Sequence, residues 1–474
     1  MKNKSTTVLP NLYLGGAKSL FNFTSSTLGL LSAISFLVIF SSCQKETDQP
    51  VIQSERATIS NKGVRGHLQQ TQTYPADVAI AWINMQIRLM RASGLGNTIL
   101  IRPYAYCGVA LYETVVAGMP AYQSVASQLN GLSGLPQTEH GFAYHWPSSA
   151  NAALAFVNKH MFSTTSAANK AAIDSLENVL NLQYQNEANA ETISRSIAFG
   201  RAVAQRVFDW SETDGYLHAG DPYTPPAGPG LWVPTPAAFA NAATPYFGNL
   251  RTIVPGSGHN SQPDAPFPYS TDASSDFYKM VKQVYDVSQT LTPQQTAQAL
   301  WWRDNPGTAS AHYLNILSQA LKKENSSLDI AAYGWALSGI TAFDAYISCW
   351  QTKFQYNLVR PITYIRTVLG YASWSPLIGT PAHPEYSAAH ATVSSAYADA
   401  MTMVFGANFS ITDNTYNFLG MASRSFSSFK ALGEDAGNSR LFAGIHYQHS
   451  IDIGLEQGRK VAENIISELK FLKE

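Results

Sequence analysis

Along most of the chain, apolar residues recur at helical spacing, and strand-like alternation between turn signals is scarce. "DVAIAWINMQIRLMRA" (Asp77 to Ala92) sets the pattern: Asp77 suits a helix start, and the apolar residues behind it return to one face at about 100° per residue. Comparable stretches fall near 106–118, 149–161, 166–185, 189–213, 275–289, 293–302, 311–323, 327–350, 387–405, 414–430 and 439–470. The pattern predicts one large all-α domain. Between Asp214 and Asp276 a Pro-, Gly- and Asn-rich region interrupts the helices. It is longer than ordinary connections and reads as a functional lid or a long surface excursion.

With 31 Lys and Arg against 32 Asp and Glu, the chain has no global basic field to gather nucleic acid or an anionic membrane surface. Any anion site must be local. A 45% hydrophobic content supplies a sizeable core for the 474 residues, and no repeat or compositional break divides the body.

Lysines at 2, 4 and 18 precede an apolar run from Leu28 to Phe40, too short for an ordinary transmembrane span, and "FSSCQKE" closes it. Ser41 and Ser42 before Cys43 are similar to a bacterial lipobox. This predicts a lipoprotein signal peptide over 1–42, lipidation of Cys43, and export to a membrane through that anchor alone; a plain secretory signal is the alternative. Residues 43–74 read as a flexible tether, and folding is expected from Pro75 through residue 474. Cys107 and Cys349, left after cleavage, make no disulfide framework.

Three stretches concentrate basic side chains among apolar helices. In "KFQYNLVRP" (Lys353 to Pro361) the spacing of seven returns Lys353 and Arg360 to nearly one helix face, which suits an oxyanion or an ordinary solvated face. In "PEYSAAHATVSSAYADAM" (Pro384 to Met401), Ser387 is a plausible N-cap for a helix whose open amides share space with His390. In "SRLFAGIHYQHSID" (Ser439 to Asp452), Arg440 and His446 would stand about 120° apart on a straight helix, so convergence needs a long side chain or a break near Gly437–Ser439. Read together, a lysine, two arginines and two histidines call for an anion, because burying several cations alone is costly.

These stretches resemble the three-part signature of the vanadium-dependent haloperoxidases, relatives of the type 2 phosphatidic acid phosphatases: K-x6-R-P, P-S-G-H and S-R-x5-H-x3-D. Lys353 to Pro361 matches the first in full, and Ser439, Arg440 and His446 match the third up to its histidine. "WWRDNPGTASAHYLNI" (Trp301 to Ile316) is similar to a segment of bacterial members. The resemblance implies a helical-bundle fold of the haloperoxidase and acid phosphatase type. It implies vanadate, or phosphate in the same site, held by Lys353, Arg360, Arg440 and the Ala389 amide and bonded to His446, with His390 as acid/base. Trp350 and His383 fall where members vary with halide, which points to bromide or iodide.

The chain departs from the signature twice. Ser387-Ala388-Ala389-His390 stands for P-S-G-H, so one hydroxyl donor is lost, a contact of a kind worth about 1.5–3 kcal/mol. Ser450 stands where the terminal aspartate is expected, and Asp452 pairs by spacing with His449 as a rival to His446. The resemblance implies halide oxidation with hydrogen peroxide. A phosphatase acting on a phosphomonoester through a phosphohistidine, and a non-catalytic anion- or partner-binding lipoprotein, are the alternatives. Nothing in the sequence fixes the oligomeric state.

Overall fold

The structure is a computed structural model and describes residues 69–474. The expected signal segment, Cys43 and the tether up to residue 68 lie outside the described residues. The folded body begins ahead of Pro75: Trp146 Nε1 donates to Gln69 O at 2.8 Å, and Thr71 Oγ1 donates to Val115 O at 2.9 Å.

The helical expectation holds. In the N-terminal half, α1 (Asp77–Ser93), α2 (Asn97–Val115), α3 (Trp146–Met161), α4 (Ala167–Tyr184) and α5 (Ala190–Ser211) pack together. Then come α6 (Asp276–Gln289), α7 (Pro293–Trp301), α8 (Ala309–Lys323), α9 (Leu328–Tyr356), α10 (Pro361–Thr367), α11 (Ala389–Phe405), α12 (Phe429–Phe442) and α13 (Gln448–Glu468). From Trp335 through Trp350 every residue of α9 is buried, as expected for a helix apolar on all sides at the centre of a large domain. It lies against α2 on one side and α11 and α13 on the other, and so joins the two halves.

Three expected helices differ. The α2 helix starts at Asn97 rather than near 106 and carries Pro103 inside it. The stretch read as helix over 414–430 is a small antiparallel hairpin, β1 (Ile411–Asp413) and β2 (Arg424–Phe426), with a helical turn between. Asp413 ends β1 and fixes the turn, accepting from Thr415 N at 3.0 Å, a local side-chain bond that competes with helix. The stretch 439–470 is two helices, broken between Ala443 and Tyr447 where Gly444 takes a φ of 78°.

The 214–276 region is packed onto the helices. Arg102 Nε donates to Asp214 at 2.8 Å, and Asp344 of α9 accepts from Ile253 N and Val254 N at 2.7 and 3.0 Å. Farther along, Trp232 N donates to Asn357 O at 2.6 Å and Ala243 N to Ala382 O at 2.7 Å. The excursion therefore forms a wall beside the ends of the first and second basic stretches.

Candidate active site

Lys353 and Arg360 do not share a helix face. The α9 helix ends at Tyr356, Asn357 takes a left-handed φ of 48°, and Arg360 is extended ahead of Pro361, the first residue of α10. The chain turn brings them together instead. Lys353 Nζ donates to the carbonyls of Pro384, Glu385 and Ser387, while Arg360 Nε donates to His383 O at 2.8 Å. Both cations thus clamp the segment leading into α11.

Ser387 is not the cap of α11. Its hydroxyl donates to Gln457 Oε1 of α13, and Ala388 occupies the N-cap position with no side-chain acceptor. The first amides of the helix, beginning with Ala389, have no intrahelical partner by geometry and no capping side chain. Arg440 closes α12, and His446 lies in the break before α13. That break, rather than one near Gly437–Ser439, lets the two converge.

Hydrogen-bond logic fixes the histidines. A guanidinium only donates, so the 3.2 Å contact from Arg360 Nη1 requires a lone pair on His446 Nε2, and the proton sits on Nδ1, 2.8 Å from Glu385 Oε1. Likewise Arg360 Nη2, 2.9 Å from His383 Nδ1, leaves the proton of that ring on Nε2, and the 3.2 Å approach of Nδ1 to Pro384 O is then no hydrogen bond. Trp350 packs its ring 4.9 Å from that of His383. His390 donates through Nε2 to Asp304 Oδ2 at 2.8 Å, which leaves the lone pair on Nδ1.

Two of these partners escaped the sequence reading. Glu385 takes the place of the missing aspartate: it also accepts from Tyr447 N at 3.0 Å, and Ser450 Oγ donates to its second oxygen at 2.6 Å. Ser450, the residue that breaks the signature, therefore orients the carboxylate that replaces it. Asp304 lay inside the Trp301–Ile316 segment, but no spacing tied it to His390. The rival pair does not form: His449 stacks on Phe267 at 4.3 Å, and Asp452 accepts from Gln448.

The site is electrostatically incomplete. Lys353, Arg360 and Arg440 are 0%, 0% and 2% exposed, and among the described residues none of them forms a salt bridge. Arg440 spends Nη1 on Trp302 O at 2.7 Å, while its buried Nε and Nη2 have no partner among the described residues. Burial lowers all three cations, Lys353 to about 8 and both arginines to about 10. Burial and then the neighbouring Arg360 and Lys353 hold His446 well below the usual imidazole range; burial and then Arg440 hold His390 down. A bound oxyanion would satisfy the orphaned guanidinium atoms and offset the buried positive charge. The residues present fit vanadate: the free donors of Arg440 and an amide would meet its oxygens, Lys353 and Arg360 would add positive charge from their fixed positions, and the His446 Nε2 lone pair, which here accepts from Arg360, would serve the metal.

A solved structure, described as that of the first bacterial vanadium-dependent iodoperoxidase, aligns with 32% identity and a TM-score of 0.78 over 85% of this chain and 98% of that one. The chain belongs to the vanadium-dependent haloperoxidase family. The sequence model of the VCPO second helical-bundle domain matches residues 335–473, the span that carries all three basic stretches. Holo and apo structures of a bacterial vanadium-dependent chloroperoxidase share the fold, each at 16% identity over 80% of this chain, with TM-scores of 0.61 and 0.60 over 94% and 95% of their own lengths. No curated protein matches. This haloperoxidase-family enzyme brings Lys353, Arg360, His383, Ala389, His390, Arg440 and His446 to one region, with Trp350 against His383.

Proposed function

We propose that the chain oxidises iodide or bromide with hydrogen peroxide, using vanadate held by Lys353, Arg360, Arg440, the Ala389 amide and His446 Nε2. One observation carries this reading: Arg440 buries two unpartnered donors in the same site where His446 keeps an unprotonated nitrogen beside Arg360. Bound vanadate supplies a Lewis acid that activates peroxide toward the halide. The chain's own part is electrostatic and protonic. Lys353 and Arg360 are fixed by carbonyl contacts before any ligand arrives, so positive charge is held in place at no reorganisation cost.

The balance H2O2 + X− + H+ → HOX + H2O consumes one proton. His390 is the group that moves it: Asp304 fixes the ring through Nε2, and Nδ1 is free to take up and return a proton. Glu385 holds His446 in the tautomer that leaves Nε2 unprotonated, the support a metal-binding imidazole needs. Among the described residues His383 Nε2–H has no hydrogen-bond partner, and it offers a donor to the halide beside the Trp350 ring. The likeness to an iodoperoxidase supports the softer halides.

The full chain, loaded with vanadate and given peroxide, is expected to oxidise iodide or bromide, and His446→Ala is expected to lose that activity. Hydrolysis of an aryl phosphate with no halide oxidation would move the assignment to the phosphatase branch. Silence in both assays at saturating vanadate would leave an anion-binding protein.

A further inference from the structure

Beyond Asp304 the buried partners continue to a residue that the reaction above does not use. His312, on α8, lies between two carboxylates: Nδ1 is 2.7 Å from Asp304 Oδ1, and Nε2 is 2.6 Å from Asp413 Oδ2. Ionised carboxylates only accept, so both contacts are hydrogen bonds only if the ring carries two protons. Burial opposes that charge, but Asp413 and Asp304 outweigh it and push the ring up to about 9. The ring cannot turn: Trp302 stacks on it at 4.6 Å, and Tyr416 stands edge-on at 5.1 Å. Asp413 is anchored in turn by Trp301 Nε1 at 2.9 Å and by Thr415 N.

Asp304 is the shared member. One oxygen meets His312 and the Tyr416 hydroxyl, and the other meets His390. Its backbone has a φ of 57°, a conformation that an aspartate keeps only where its surroundings hold it. The charged and titratable groups facing His312 are Asp304 ahead of α8, Asp413 from β1 and the Tyr416 hydroxyl. Those facing His390 are Asp304, Arg440 from α12 and His383, with His312 behind the carboxylate.

We propose that His312 is a positioning residue for His390: gripping Asp304 from the far side, it fixes the oxygen that meets His390 and takes up a share of its negative charge. His312 thereby adds to burial and Arg440, which already hold His390 neutral with Nδ1 open, by offsetting the opposite pull of Asp304. This inference rests on the reading of His390 as the proton-transfer group. His312 makes no hydrogen bond to the anion-binding cations or to His446; it acts on His390 through the grip on Asp304 and through its own positive charge behind that carboxylate.

The test is a histidine-selective NMR titration of the full chain without vanadate, wild type against His312→Gln. Wild-type His312 is expected to be doubly protonated at neutral pH. In the variant, the His390 midpoint is expected to move to higher pH by about one unit, since one positive charge is gone and Asp304 faces His390 alone. In the vanadate-loaded enzyme, the acidic limb of the kcat/KM profile shifts the same way. A neutral wild-type His312, or an unmoved His390 midpoint in a folded variant, overturns the proposal. Should His312→Gln not fold, Asp413→Asn serves: it lowers the midpoint of His312, and His390 must titrate higher once His312 is neutral. A shifted His390 midpoint alongside full activity in His390→Ala sinks the role given to His390 in turnover and leaves the positioning claim standing.

Discussion

Glu385 shows how much a single buried carboxylate settles. It receives the His446 Nδ1 proton, the Tyr447 amide and the Ser450 hydroxyl, and so fixes both the tautomer of His446 and the path of the chain entering α13. Glu385→Gln keeps the shape and removes the charge that makes His446 a strong donor. It is expected to weaken vanadate binding by about 10- to 100-fold with the fold retained, read by calorimetric titration. Unchanged affinity would show that His446 does not depend on Glu385. The three cations and two histidines were legible because their spacings survive in the sequence. Glu385 and Asp304 were not, because they lie 61 and 86 positions from the imidazoles they serve. Ser450, read as a loss, is part of a replacement that only its neighbour in space reveals.

Among the elements, α11 and α13 matter most, since one begins at Ala389 and the other begins just after His446. Their closeness depends on Gly458. A Cβ there would stand 2.0 Å from Thr392 O, a backbone atom that cannot step aside. Gly458→Ala is therefore expected to force the helices apart, costing about 1–3 kcal/mol. Vanadate affinity should fall with it, because the amides of α11 and the imidazole of His446 separate. A thermal melt with and without vanadate reads both, and an unchanged melt would mean that the helices meet elsewhere. The short α10 was not legible from period, and the stretch over 414–430 carried a helical period without being a helix, but most helices were legible. Helix ends were not: the break at Gly444 and the hairpin at Asp413 are set by a positive φ and by side-chain bonds to the backbone, which leave the apolar period almost intact.

Taken whole, the molecule stores ionic contacts at depth, and this links its stability to pH. His312 titrates near 6.5 when unfolded and at about 9 when folded, so the folded state holds the extra proton between those values. The stability it contributes is fully present below about pH 6.5 and is lost as pH rises through about 9. Urea unfolding at a series of pH values should show wild type exceeding His312→Gln by on the order of 1–3 kcal/mol near pH 6, with the margin closing near pH 10. A margin constant across that window would mean the ring is not charged in the fold. The sequence by itself determined the helical class and pointed to the family and to the basic residues of the candidate site, because periodicity and motif spacing are local properties. Only the tertiary structure decided which carboxylate serves which histidine, where Arg440 keeps unpartnered donors, and that Ser450 supports Glu385. Such pairings depend on ångström-scale distances between elements far apart along the chain, and no window of the sequence contains them.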